Sequence, residues 1–127
     1  MSVPAFLSVP IVEALHQRAI ERYGGTLGVR DRSGLEAAVN HPQNVYFYGG
    51  GDLFDLAVAY AFHIAQAQAF LDGNKRTAVA AALVFLELNG QTKRVDDHPI
   101  YEAMIAIAER RMNKADMAAL FRKLFAV

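Results

Sequence analysis

The sequence predicts an all-α fold of six helices, and three observations carry that expectation. Apolar residues recur at helical spacing along most of the 127 residues. Residues that start and stop helices bracket each stripe: Pro10, Asp52, Pro99 and Asn113 at the starts, Gly24-Gly25 and Gly90 at the ends. Finally, a polar loop bearing Gly73 runs straight into Ala78–Leu88, which is almost wholly apolar and reads as a buried helix. The expected architecture is a compact bundle, one domain over residues 1–127, around a central pair at about 53–69 and 75–89.

Each element has its own signal. Residues 1–8 read as a short extended lead, and Pro10 suits the first position of a helix. Ile11, Val12, Leu15, Ala19, Ile20 and Tyr23 then share one side of that helix, with Gln17, Arg18, Glu21 and Arg22 on the other. After a loop at 24–32, Ser33-Gly-Leu-Glu36 has the form of a capping box. Pro42 is expected to stop the second helix near Asn40. Residues 43–51 place Val45, Tyr46, Phe47 and Tyr48 before three glycines. They read either as an extended flap on a mobile hinge or as a loop whose aromatics cover the core.

Asp52 caps the third helix, with Leu53, Leu56, Ala57, Tyr60, Ala61, Ile64 and Ala65 on one face. Phe54, Val58 and Phe62 lie off that face, so contacts on more than one side are expected. The fourth helix runs from about Asn74 to Asn89, and the small residues Ala80, Ala81 and Ala82 permit close approach of its neighbours. Residues 90–97 connect, in part extended. Asp97 or His98 caps a fifth helix with Ile100, Met104, Ile107 and Ala108 inward, and Asn113 caps a sixth striped by Met117, Leu120, Phe121, Leu124 and Phe125.

Composition bounds the function. Apolar residues make up 54% of the chain, which argues against disorder. Thirteen basic residues balance thirteen acidic ones, so no global field draws the chain to nucleic acid or to a membrane surface. Basic residues gather in the last third (Arg110, Arg111, Lys114, Arg122, Lys123), where two helix faces can scatter them. The chain has no cysteine, which removes disulfides and thiolate metal sites and suits a reducing compartment. Met1 to Val12 lacks the form of a signal peptide, and the longest apolar run, Ala78–Leu86, is far short of a membrane span. The expectation is a cytoplasmic protein with no direct nucleic-acid or membrane partner.

The chemistry concentrates at Gln68–Arg76. The first N–H groups of a helix lack internal partners and carry partial positive charge, so a polar loop opening a helix suits an anion, phosphate above all. Lys75 and Arg76 add charge, and Arg76 can grip two phosphate oxygens. Gly73 allows close backbone approach, and Asn74 can hold a phosphate oxygen through its amide. Asp72 alone is a poor metal site and suits Mg²⁺ only where phosphates complete the shell. Phe70 reads as a core anchor. Taken alone, these residues also fit a plain polar corner, with Asp72 and Asn74 capping and Lys75 and Arg76 solvated.

Gln68-Ala-Phe70-Leu-Asp72-Gly73-Asn74-Lys75-Arg76 resembles the motif of the Fic/Doc family in its Doc (death-on-curing) form, His-x-Phe-x-Asp-x-Asn-Lys-Arg. The wider Fic pattern has glycine where Lys75 stands. Arg30-Asp31-Arg-Ser-Gly34-Leu35-Glu36, His41-Pro42-Gln43 and Thr77-Ala78 also look like the Doc surroundings, so the resemblance spans nearly the whole chain. It implies a toxin of a toxin–antitoxin pair that uses ATP and Mg²⁺ to phosphorylate a protein hydroxyl. In the Doc branch that hydroxyl belongs to a threonine of elongation factor Tu, and its phosphorylation halts translation. The resemblance implies phosphate-binding roles for Gly73, Asn74, Lys75 and Arg76, catalytic roles for Asp72, Lys75 and Arg76, and a metal role for Asp72 through the phosphates. It implies a target-aligning flap at about 43–50, with Val45, Tyr46 and Phe47. It also implies a Phd-like antitoxin whose disordered C-terminal segment folds as a helix into a groove of the toxin.

One position departs from the pattern. Gln68 stands where the family has the histidine that takes the proton from the target hydroxyl. An amide lacks useful basicity, and loss of a general base costs about 10²–10⁴-fold in rate. Glutamine can still orient a hydroxyl, and a loose phosphoryl-transfer transition state leans on positioning and charge. Three readings stand: a member that binds nucleotide and transfers poorly, one with another base or reaction, or a toxin silenced on purpose. Alongside the phosphotransferase stand a Fic-type protein adenylyltransferase and a silent pseudo-transferase that binds nucleotide or partner. His63 lies about 140° around the helix from Gln68 and is expected on another face, in or near the core. His16, His41 and His98 read as structural or solvated.

Overall fold

The computed structural model describes residues 3–126, and their order is α1 (Val9–Tyr23), α2 (Arg32–Gly49), α3 (Leu53–Ala67), α4 (Asn74–Leu88), α5 (His98–Ala108) and α6 (Lys114–Phe125). The described residues form no β-strand, only an isolated antiparallel bridge between Val29 and Phe70. The all-α expectation and the central pair are borne out. α3 packs most extensively on α4, then on α2 and α6, while α1 lies across α4.

α3 holds the centre because its sequence leaves it no wet face over two turns. Every residue from Leu56 to Ala61 is buried. α4 answers with Ala78, Ala81 and Ala82, whose small side chains bring the two backbones together. Asp52 and Asp55 form the reciprocal capping box at the start of α3. Arg122 of α6 bonds both carboxylates at 2.9–3.0 Å. Partial burial raises the Asp52 pKa, but its bonds from Arg122 and Asp55 outweigh that and hold it at about 2.

The lead is fastened rather than free. The Leu7 N–H donates to the Tyr60 hydroxyl at 2.8 Å, and the Asn89 amide both accepts from Ala5 N and donates to Ala5 O. Phe6 thereby packs between Tyr46 and Phe85, with ring centres 5.9 and 6.0 Å away. Residues 1 and 2 of the expected lead lie outside the described residues.

Five expectations are corrected. α2 does not stop near Asn40; it continues through Pro42 to Gly49. Proline in a helix interior costs about 3 kcal/mol, but Pro42 is itself buried, and the continued helix packs Val45 and Tyr46 against the core. Burying such side chains is worth about 1.5–3 kcal/mol each when complete. Consequently residues 43–49 are helix, not an extended flap. The second helix is capped by Asp31, whose carboxylate accepts from Gly34 N, and not by Ser33. α1 begins one residue before Pro10, with Ser8 as its cap. At α5, Asp97 occupies the cap position without a side-chain cap bond, and Asp96 accepts from His98 N instead.

Candidate functional site

The site is the loop between α3 and α4, residues 68–73, together with the first turn of α4. It opens with a strained residue. Gln68 ends α3 in the left-handed region, at φ 46° and ψ 43°, where a non-glycine residue is uncommon. The surroundings hold it there. The Arg30 guanidinium donates to the Gln68 carbonyl, and the Arg30 and Asp31 N–H groups both donate to the Ala69 carbonyl. Leu71 N–H then donates to Gly28 O, so the segment before α2 runs antiparallel along the loop.

Phe70 enters the core completely and anchors the loop there. Asn74 closes the loop from the other side. Its amide oxygen accepts from Phe70 N and its amide nitrogen donates to Phe70 O, each at 3.0 Å. The Asn74 side chain is therefore committed to the backbone. That pair uses one of the two hydrogens on the amide nitrogen, so the second, together with the Asn74 backbone N–H as the first residue of α4, remains for an outside acceptor.

The start of α4 has the character of an anion cradle. Gly73 is its N-cap in the left-handed conformation, φ 72° and ψ 20°, and supplies no side-chain cap. The first intrahelical bond in this turn is Thr77 N–H to Gly73 O. The N–H groups of Asn74, Lys75 and Arg76 thus have no helical acceptor. A Cβ at Gly73 would sit 3.2 Å from Ile20 Cδ1, so glycine serves both conformation and space.

The charged side chains divide their work. One Asp72 carboxylate oxygen accepts from Thr26 N at 2.7 Å, and the other has no hydrogen bond among the described residues. Asp72 is exposed, and no cluster of three metal-ligating side chains occurs among the described residues. A cation here would need ligands from elsewhere, which phosphate oxygens supply. Lys75 is exposed and forms no ion pair among the described residues. The Arg76 guanidinium stacks 3.7 Å from the centre of the Tyr23 ring and lies 5.8 Å from that of Tyr101. A stacked guanidinium keeps its N–H edge open for oxygen acceptors. Burial raises the Tyr101 pKa, against a smaller lowering by Arg76.

The structure brings Gln68, Phe70, Asp72, Gly73, Asn74, Lys75 and Arg76 into one loop and one helix start. It does not bring Val45, Tyr46 and Phe47 there. Tyr46 meets Phe6, which stacks on Phe85, eleven residues along α4 from Asn74 or roughly 16 Å at helical rise. Sequence reasoning passed over His16, Tyr23, Thr26 and Tyr101 at the site. No local pattern marks them, because each reaches the loop only through packing of α1, its following turn or α5.

His63, half-buried, meets His41 of α2 and Lys114 of α6. Its ring is 3.7 Å from that of His41, and Lys114 Nζ lies 3.3 Å from its Nε2. Burial, His41 and Lys114 lower its pKa to about 4.

Fold and site together define a class: a helical bundle whose central helix pair is joined by an acidic, glycine-bearing loop that opens onto an anion-receptive helix start. The Fic/DOC family profile matches residues 6–86, more than half of the chain. The chain belongs to the Fic/Doc family. It is 33% identical over 113 residues to "Protein kinase doc" of Escherichia phage P1, covering 88% of this chain and 89% of that one. It is 47% identical over 72 residues to "Toxin Doc" of Mycolicibacterium smegmatis, covering 54% of each.

Proposed function

We propose that this chain is a Doc-type toxin of a toxin–antitoxin pair, built to transfer a phosphoryl group from ATP to a protein Ser or Thr hydroxyl. The observation that carries this reading is the junction at residues 72–76. A carboxylate oxygen without a partner, three free N–H groups, Lys75 and a stacked Arg76 gather within five residues. That donor set fits nucleotide phosphates with a divalent cation between them and Asp72. The likeness to a protein kinase of the same family supports phosphoryl over nucleotidyl transfer.

When bound, ATP would supply the phosphoryl group and Mg²⁺ a compensating positive charge, with Asp72 as the residue that would hold the cation. The residues of the chain do the rest. Asp72 offers its unbonded oxygen, while Thr26 N–H keeps the carboxylate from turning. The start of α4 receives phosphate oxygens, Lys75 adds a point charge, and Arg76 binds oxygens with geometry set by Tyr23. Gln68 stands where the target hydroxyl arrives and orients it without accepting its proton. The native chain is therefore a slow transferase. Elongation factor Tu is the proposed acceptor, a Phd-like antitoxin the proposed partner, and the cytoplasm the compartment both require. No described helix is long and apolar enough to cross a membrane.

The test is label transfer. Purified native chain and Gln68→His are incubated with elongation factor Tu, Mg²⁺ and ATP labelled at the α- or the γ-phosphate. Transfer of γ-label, strong with Gln68→His and weak with the native chain, is expected. Transfer of α-label would make the chain an adenylyltransferase. Gln68 favours a second reading, a pseudo-transferase that binds nucleotide or antitoxin alone. Retained ATP binding with no transfer by either form would establish it.

A further inference from the structure

We propose that His16 is a positioning residue that sets the Asp72–Gly73 peptide and, through it, the Asp72 carboxylate. The inference rests on the reading of residues 72–76 as a nucleotide-phosphate site. His16 is in the middle of α1, far from the loop in sequence, and only 2% exposed. Its ring lies nearly parallel to Phe70, 3.9 Å between centres and 12° between planes. Its Nε2 is 2.9 Å from the Asp72 carbonyl oxygen. A carbonyl only accepts, so Nε2 must carry the hydrogen, and the contact excludes the tautomer with its hydrogen on Nδ1 alone.

The bond fixes a direction. The peptide bonds of the described residues are trans, so the Asp72 carbonyl and the Gly73 N–H point opposite ways. With the carbonyl drawn toward α1, the Gly73 N–H is turned away from α1, adding a donor beside those of Asn74, Lys75 and Arg76. The same bond fixes the backbone from which the Asp72 side chain springs. Thr26 N–H then takes one carboxylate oxygen and leaves the other open. Phe70 holds the imidazole in plane, and Ile20 closes the space beside Gly73. A core role alone requires the stack with Phe70 but not the bond to Asp72, and the two are separable by substitution.

His16→Phe keeps an aromatic ring against Phe70 and removes the donor. His16→Gln keeps an N–H donor and removes the ring. Three readouts apply to the whole chain: long-range ¹H–¹⁵N spectra of the imidazole, hydrogen exchange of the Thr26 and Thr77 amides, and ATP titration with and without Mg²⁺. The expected parent spectrum shows the hydrogen on Nε2. In His16→Phe, the Thr26 and Thr77 amides, which bond the Asp72 carboxylate and the Gly73 carbonyl, are expected to exchange at least tenfold faster while the core of α3 is unchanged. ATP binding with Mg²⁺ is expected to weaken about tenfold, the size of one lost hydrogen bond at the site. Binding without Mg²⁺ changes less than threefold, and His16→Gln recovers most of the loss.

A hydrogen on Nδ1 alone overturns the proposal. So does unchanged exchange at Thr26 in His16→Phe, or an equal fall of both variants in melting temperature and in binding with and without Mg²⁺. If the parent binds no ATP, the nucleotide reading fails, and the spectrum and the exchange rates still decide whether His16 sets the loop.

Discussion

The Arg76 guanidinium rests on the Tyr23 ring, 3.7 Å from its centre, and so joins the last residue of α1 to the first turn of α4. The pair is partly wet, with Tyr23 53% exposed. A cation–π contact of this kind is worth about 0.5–1 kcal/mol. Its larger effect is geometric, since it limits where the arginine fork points. Tyr23→Ala is expected to weaken ATP binding about two- to fivefold, and Tyr23→Phe to leave it near the parent. Calorimetric titration of the three chains checks this, and equal affinities would show that the stack does not prepare Arg76.

Gln68→His should raise transfer by about 10²–10⁴-fold, the usual worth of a general base. The fold accepts the change, because histidine is among the residues found more often at positive φ. Its melting temperature is expected to match the native chain. Single-turnover transfer with γ-labelled ATP is the measurement, and equal rates would mean that proton removal at this position does not limit the reaction.

Thr77 is fully buried in α4, and its hydroxyl has no hydrogen-bond partner among the described residues. A buried polar group without a partner costs about 1–3 kcal/mol. Thr77→Val keeps the branched shape and removes the hydroxyl, and is expected to stabilise the chain by about 1 kcal/mol. Urea unfolding at neutral pH reads it directly. A loss of similar size would reveal a bound water or ligand that satisfies the hydroxyl.

His63 gives a pH dependence whose sign follows from its lowered pKa. The unfolded imidazole, with its ordinary value of 6.5, takes up a proton before the folded one, at about 4. The unfolded state thus binds more protons between those values, and stability rises with pH across that window. The contribution is complete above about pH 6.5 and is lost as pH falls toward 4. The groups facing His63 are His41 and Lys114. In His63→Gln, the fall in melting temperature between pH 7 and pH 5 should shrink. An unchanged fall would assign it to other groups.

Much of the fold was legible because most elements carry local signals. The caps at Asp52 and Asn113 were legible, since each is satisfied within four residues, and the structure completes both as capping boxes. Pro42 misled because the local preference of a proline competes with what the following residues can bury, and here Val45 and Tyr46 decided for helix. Ser33 misled as well, since Asp31, two residues earlier, supplies the cap and its carboxylate takes the free N–H of Gly34. The motif from Gln68 to Arg76 was visible as a run, but the two bonds that tie the Asn74 side chain to the Phe70 backbone were not.

By itself, the sequence determined the helical class, the central pair, the family motif and the absence of a histidine at position 68. These follow from residue types and short spacings, which the chain carries with it. Tertiary structure alone decided which distant groups reach that motif. His16 from α1, Thr26 and Arg30 from the following turn, and Tyr101 from α5 arrive there because α1 and α5 lie against α4. Such meetings depend on how helices cross, and the packing that sets a crossing is spread over many side chains at once.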